Sequence, residues 1–120
     1  MAVHLKRAYD PPSPEDGQRY LVERLWPRGV KKDALQLTAW LKDLAPSDEL
    51  RRWYGHAPAR WDEFSRRYRE ELQSPDKQPV LADLAGKARD GDVTLVFATK
   101  DEEHSGAMVL HDVLRELVDQ

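Results

Sequence analysis

The chain has 120 residues, 19 basic and 22 acidic side chains, a formal charge of -3 and no cysteine. That length predicts one domain with residues enough for a real core, and the missing thiols exclude disulfides, thiol nucleophiles, thiolate zinc sites and iron–sulfur clusters. The near balance of charge removes any global pull toward nucleic acid or anionic lipid, no run approaches the roughly 20 apolar residues of a membrane span, and Met1-Ala2-Val3-His4-Leu5-Lys6 lacks a signal-peptide core, so a cytoplasmic protein is expected.

Val3, Leu5, Arg7 and Tyr9 alternate with His4, Lys6 and Ala8, the period of a short strand. Asp10-Pro11-Pro12-Ser13-Pro14-Glu15-Asp16-Gly17 has three prolines without N–H donors and reads as an ordered loop or a mobile flap. Residues 19–25 carry Tyr20, Leu21, Val22 and Leu25, a nearly continuous apolar run suited to a strand covered on both faces, stopped by Pro27 and Gly29. Residues 31–44 place Leu37, Trp40, Leu41 and Leu44 at i, i+3, i+4 and i+7, which predicts a helix. Ala45-Pro46-Ser47-Asp48 breaks it, with Ser47 placed to cap a short helix through Trp53.

Gly55-His56-Ala57-Pro58 is the next break, and Pro58 suits a first helical turn. Trp61, Phe64, Tyr68 and Leu72 then form an apolar stripe, while Asp62–Arg66 and Glu63–Arg67 stand four apart with the acid first. After Ser74-Pro75-Asp76-Lys77, Pro79 opens a helix using Val80, Leu81, Leu84 and Ala88 and ending at Gly91. Residues 93–99 are rich in β-branched and apolar side chains and predict the third strand. Ser105 caps a last helix that buries Val109, Leu110, Val113, Leu114 and Leu117. Strands alternating with helices predict an α/β fold: a small, mainly parallel sheet of about three strands with helices on its faces. No helix separates the first two strands, and a parallel pair needs a crossover of about a dozen residues, so an antiparallel first pair stays open.

Several segments occur together in one order: Arg7-Ala8-Tyr9-Asp10, Leu25-Trp26-Pro27-Arg28-Gly29, Trp40-Leu41-Lys42-Asp43-Leu44-Ala45-Pro46-Ser47, Trp53-Tyr54-Gly55-His56 and Lys100-Asp101-Glu102-Glu103-His104. In these the chain resembles the YeaO-like branch of the domain of unknown function 488 family, over nearly its whole length. The resemblance implies a small bacterial-type cytoplasmic α/β protein with a Rossmann-like sheet and a parallel first strand pair. It carries over no activity. Some wider members bear cysteine and histidine after the last strand; here that place holds residues 100–104 without a cysteine, so no thiol mechanism transfers.

Clefts in open α/β sheets form at the strand C-termini. Arg24, Trp26 and Arg28 lie where the second strand opens into a loop, and on an extended strand they would share one face. Arginine forks hold carboxylates or phosphates, and tryptophan can wall a pocket. Arg7, at the end of the first strand, joins the same end of the sheet. The competing reading pairs Arg24 or Arg28 with the acidic cluster and buries Trp26 in the core. Lys100, Asp101 and His104 follow the last strand, where a lysine or a carboxylate beside an imidazole can handle protons. Against this, Asp101, Glu102 and Glu103 equally suit a solvated helix start. His56, after Gly55, can reach the cleft as acid, base or ligand, or else cap the next helix.

His56, His104, Asp101 and Glu103 lack metal-site spacing, and His104 and His111 stand two helical turns apart, so neither a metal nor another cofactor is expected. Arg60, Arg66, Arg67 and Arg69 interleave with acids as a salt-laced helix face, which makes nucleic acid an unlikely partner. Phosphate-loop and GxSxG motifs are missing. The leading expectation is a polar cleft lined by Arg7, Arg24, Trp26, Arg28, His56, Lys100, Asp101 and His104 that binds a small anionic or planar ligand, with possible acid–base chemistry. Its rivals are a protein-interaction or homodimerisation module anchored by Trp53 or Trp40, and local nucleic-acid binding through the arginines.

Overall fold

The computed structural model describes residues 2–120. In chain order it contains β1 (Ala2–Arg7), β2 (Gln18–Leu21), β3 (Ala39–Trp40), α1 (Asp48–Tyr54), α2 (Trp61–Leu72), α3 (Gln78–Asp90), β4 (Asp92–Phe97) and α4 (Gly106–Val118). The four strands form one all-parallel sheet in the order β1-β4-β2-β3. β4 lies inside the sheet and is buried from Val93 to Phe97, as expected for its unbroken apolar run.

Strand alternation divides the sheet into two faces. Val3, Val93, Leu95, Phe97, Tyr20 and Val22 enter the larger core, where all four helices meet them through residues such as Leu50, Phe64, Leu84 and Leu110. Ala8, Leu21 and Val96 face the other way and are covered by Leu35 with Trp26, Val30 and Leu37 packed around it. Each fully buried Leu or Phe contributes roughly 1.5–3 kcal/mol, so the apolar helix stripes decide which way the helices turn.

The strand pair left open by the sequence resolves in an unexpected way. β1 and β2 do not pair with each other; both pair in parallel with β4, which lies between them. The return through residues 8–17 need only run back along a strand of about 20 Å, well within reach of ten residues. That segment is an ordered loop. A short 3-10 turn, Pro14–Asp16, carries a capping box with Ser13. The Asp16 carboxylate accepts from Arg19 Nη1 at 2.6 Å, from Lys6 Nζ at 3.1 Å and from the Ser13 N–H at 3.0 Å. Burial opposes its charge, but these bonds outweigh that cost and hold its pKa below the usual value.

Two sequence expectations need correction. Residues 31–44 are not one helix but a 3-10 turn (Lys32–Leu35), β3 and a second 3-10 turn (Lys42–Leu44). Gln36 adopts a left-handed conformation (φ 48°) that ends the first turn. The amide of Thr38 then donates to Arg19 O at 2.7 Å and that of Leu41 to Leu21 O at 2.8 Å. The sheet thus takes the donors a helix would need and gains a fourth strand. β2 likewise stops at Leu21 instead of running to residue 25: its last sheet bond is Val22 N–H to Val96 O, 3.0 Å.

The helical readings from residue 47 onward match the structure in extent, but Val80 on α3 is exposed and Val113 and Leu117 on α4 are only partly buried. Ser47 Oγ caps α1 by accepting from Leu50 N–H, and Pro58 opens a 3-10 turn that feeds α2. Phe64, Tyr68 and Leu72 are buried, and Glu63 pairs with Arg67 at 2.7 Å. Arg66 pairs with Glu63 and Glu70 instead of Asp62. Gly91 closes α3, and Ser105 Oγ caps α4. Among the described residues no helix is long and apolar enough to cross a membrane.

Candidate functional site

β2 and β4 end side by side, and the chain leaves them in different directions. Between the two exits, α1 and the start of α4, a cleft of about 250 Å³ opens. Its walls are Val22 to Leu25 after β2, Ala98 and Thr99 after β4, Arg51, Tyr54 and His56 at α1, and His104 to Gly106 leading into α4. This is the strand C-terminal position that favours ligands in open α/β sheets.

Glu23 is the partly buried carboxylate of this cleft. Burial pushes its pKa up to about 7 from 4.5, while the Ala98 main-chain N–H and the Arg51 guanidinium pull it back. Its own carbonyl accepts from Trp40 Nε1 at 2.6 Å, which fixes the main chain there. In sequence Glu23 falls inside the run that reads as a strand over residues 19–25, so nothing there places it in a cleft. The available signal was a single acid closing an apolar run, Tyr20-Leu21-Val22-Glu23. Arg51, on α1, is one charge on a short helix and bears no mark of the cleft in sequence. Its Nη2 reaches Asp48 Oδ1 at 3.4 Å, while its Nε is buried with no partner.

Arg24 lines the cleft too, but its fork is occupied. Nε donates to Pro46 O at 2.9 Å and Nη2 to Ala45 O at 3.1 Å, tying the β2 exit to the start of α1. His104 is held on two sides: Nδ1 meets Asp101 Oδ2 at 2.8 Å, and the ring stands edge-on to Trp61 with centroids 5.3 Å apart. That contact leaves Nε2 as the free ring nitrogen. The Tyr54 hydroxyl donates to His104 O at 2.8 Å, and its ring stacks on Phe64 at 4.2 Å. Burial, and then the charge of Asp101, raise the Tyr54 pKa. His56 is exposed at the rim in a left-handed conformation (φ 56°), directly after Gly55 at φ 53°.

Of the sequence-selected residues, the fold therefore brings Arg24, His56 and His104 to one cleft, with Asp101 behind His104. The others lie elsewhere. Arg7 Nη2 donates to Ala98 O at 3.0 Å, and its guanidinium covers the Tyr9 ring. Trp26 donates Nε1 to Val30 O at 2.7 Å and packs edge-on against Trp40 on the second face of the sheet. Arg28 is exposed in the turn before Gly29, its carbonyl accepting from the Tyr9 hydroxyl. Arg24, Trp26 and Arg28 do not share a face, because the strand that would have aligned them ends at Leu21. Lys100, Glu102 and Glu103 are exposed outside the lining.

The arrangement offers an acceptor at Glu23, a donor at Arg51, an oriented imidazole at His104 and an apolar wall from Val22, Leu25, Tyr54 and Phe64. Among the described residues, no three histidine or acidic side chains gather as a metal site.

A family model described as "Inactive DUF488-N3 subclade" matches residues 2–120. The chain is 46% identical over 112 residues to an uncharacterized protein of Mycobacterium tuberculosis, covering 93% of this chain and 92% of that one. It is 40% identical over 118 residues to the uncharacterized protein YeaO of Escherichia coli (strain K12), covering 98% and 100% respectively. No solved structure matches it. The chain therefore belongs to the YeaO-like DUF488 family, within the subclade described as inactive.

Proposed function

We propose that the cleft binds a small polar ligand, planar or anionic in part, without turning it over. One observation carries the reading: Glu23 and Arg51 line the same cleft, and neither is closed off by an ion pair with the other. A carboxylate on a partly buried wall is costly without a cationic partner, and Arg51 is paired only with the half-exposed Asp48, its Nε left without an acceptor. The cleft, at about 250 Å³, lies just under the usual range for small-molecule pockets, which suits a compact metabolite. Arg51 and Glu23 take the recognition roles, Tyr54 and Phe64 form the flat wall, and Arg24 and Asp101 position their neighbours. The word "inactive" in the family description favours binding over turnover.

The test is an amide NMR titration of the full chain with inorganic phosphate, benzoate and benzamide. Shifts should centre on Thr99 and Gly106 and weaken in Arg51→Met. If neither these compounds nor a small zwitterion such as glycine moves those amides, the reading is wrong.

A second reading draws on Trp40, which is exposed, stands edge-on to Trp26 and lies on the two-residue edge strand β3. Such an indole suits an interface with a second copy. Trp53 suits one less: it is half-buried and two guanidiniums, Arg60 and Arg67, cover its ring, where the exposed Trp40 has Lys42 alone. A concentration-dependent dimer in light scattering, lost in Trp40→Ala, would favour this reading over the first.

A further inference from the structure

We infer that the ligand is a zwitterion of the amino-acid type, with its ammonium on Glu23 and its carboxylate on Arg51. This rests on the reading of the cleft as a ligand site and specifies what enters it.

The argument starts from two opposite charges that face one cleft and do not meet. Arg51 acts on the Glu23 carboxylate through space, yet no ion pair joins them. Each has unmet bonding capacity. Arg51 spends Nη2 on Asp48, a half-exposed carboxylate, and leaves Nε buried without an acceptor. A buried donor without a partner is destabilising, and a ligand carboxylate on the guanidinium would recover that cost. Glu23 has the Ala98 N–H and needs a further donor to stay ionised beside an apolar wall.

Charge balance then selects among ligand classes. A simple anion drawn to Arg51 would meet Glu23. A simple cation drawn to Glu23 would meet Arg51, with the fixed guanidinium of Arg24 close behind. An α-amino acid carries both charges on one carbon, so it can satisfy an acid and a base that stand near each other but apart. The remaining wall is apolar: Val22, Leu25, Tyr54 and Phe64. It suits an aliphatic or aromatic side chain, and a cleft of about 250 Å³ matches the volume of one residue.

The experiment is an amide NMR and calorimetric titration of the full chain with L-leucine and L-phenylalanine. N-acetyl-L-leucine, which lacks the ammonium, and L-leucine methyl ester, which lacks the carboxylate, are the controls. The free amino acids should shift Thr99 and Gly106, and each blocked form should bind at least tenfold more weakly. Glu23→Gln should weaken leucine to about the level of N-acetyl-leucine and should not weaken N-acetyl-leucine, whose carboxylate loses a like charge in the variant. Arg51→Met should do the same for leucine against its methyl ester. The blocked ligands test the inference on the unaltered protein, so a variant that folds poorly does not remove the test. Equal binding of leucine and N-acetyl-leucine overturns the inference. Shifts with benzoate or benzamide but not with amino acids overturn it while leaving the cleft reading intact. Silence from every compound overturns both.

Discussion

Glu23→Gln gives the sharpest test of how the cleft is built. The carboxyl of Glu23 titrates at about 7 in the folded protein, against an ordinary value of 4.5, chiefly because burial penalises its charge. Between these two values the folded state holds more proton than the unfolded state. Stability must therefore fall as pH rises through that window. Each pH unit of displacement is worth about 1.4 kcal/mol, so the ceiling is about 3 kcal/mol, and about 1–2 kcal/mol remains after relaxation and water contact. Glutamine keeps an oxygen for the Ala98 N–H and cannot ionise. Urea unfolding followed by tryptophan fluorescence should show the variant gaining on the wild type from about pH 5 to about pH 7, with a constant difference above. In melting temperature the gain is about 3–10 °C for a chain of this size. The shifted carboxylates Asp16 and Glu116 are present in both proteins and cancel in the difference. A difference that stays flat across the window, or a wild type that gains on the variant as pH rises, would refute the burial of charge at Glu23.

Other expectations follow from single contacts. Gly17→Ala should cost about 3 kcal/mol or more, since a Cβ there would lie 2.1 Å from Asp92 O on a residue at φ +63°; an unchanged denaturation midpoint would contradict the close approach. His56→Gly should raise stability by about 0.5–1 kcal/mol by relieving a left-handed non-glycine residue; a lower urea midpoint would mean that the imidazole contributes packing that its exposure hides. Tyr68→Phe should cost about 1–1.5 kcal/mol, because the buried hydroxyl donates to Leu44 O at 2.7 Å and the carbonyl would lose that donor. In the parent protein the Tyr68 phenol should resist ionisation through the usual tyrosine range, since burial raises its pKa strongly; a normal ultraviolet phenolate titration of that residue would disprove its burial.

Local chemistry settled much of the chain before any tertiary contact is considered. The stripe Trp61, Phe64, Tyr68 and Leu72 specifies a helix and its buried face, and Ser47, Pro58, Gly91 and Ser105 mark helix ends by what their side chains and main chains can or cannot bond. The unbroken apolar run of β4 announces a strand covered on both sides. The placement of a cleft at the strand C-termini, with Arg24, His56 and His104 in it, was also legible, because parallel sheets open at that end. What pattern alone left undecided is where main-chain donors go when two structures compete for them. Residues 31–44 have helical spacing, yet their amides serve Arg19 O and Leu21 O, a choice that depends on a strand far earlier in the chain. The same kind of distant contact ended β2 at Leu21 and turned Trp26 and Arg28 away from the cleft. It also exposed the roles of Glu23 and Arg51. A carboxylate and a guanidinium 28 positions apart carry no joint signal in sequence, and only the packing of α1 against the β2 exit brings their charges to one cleft.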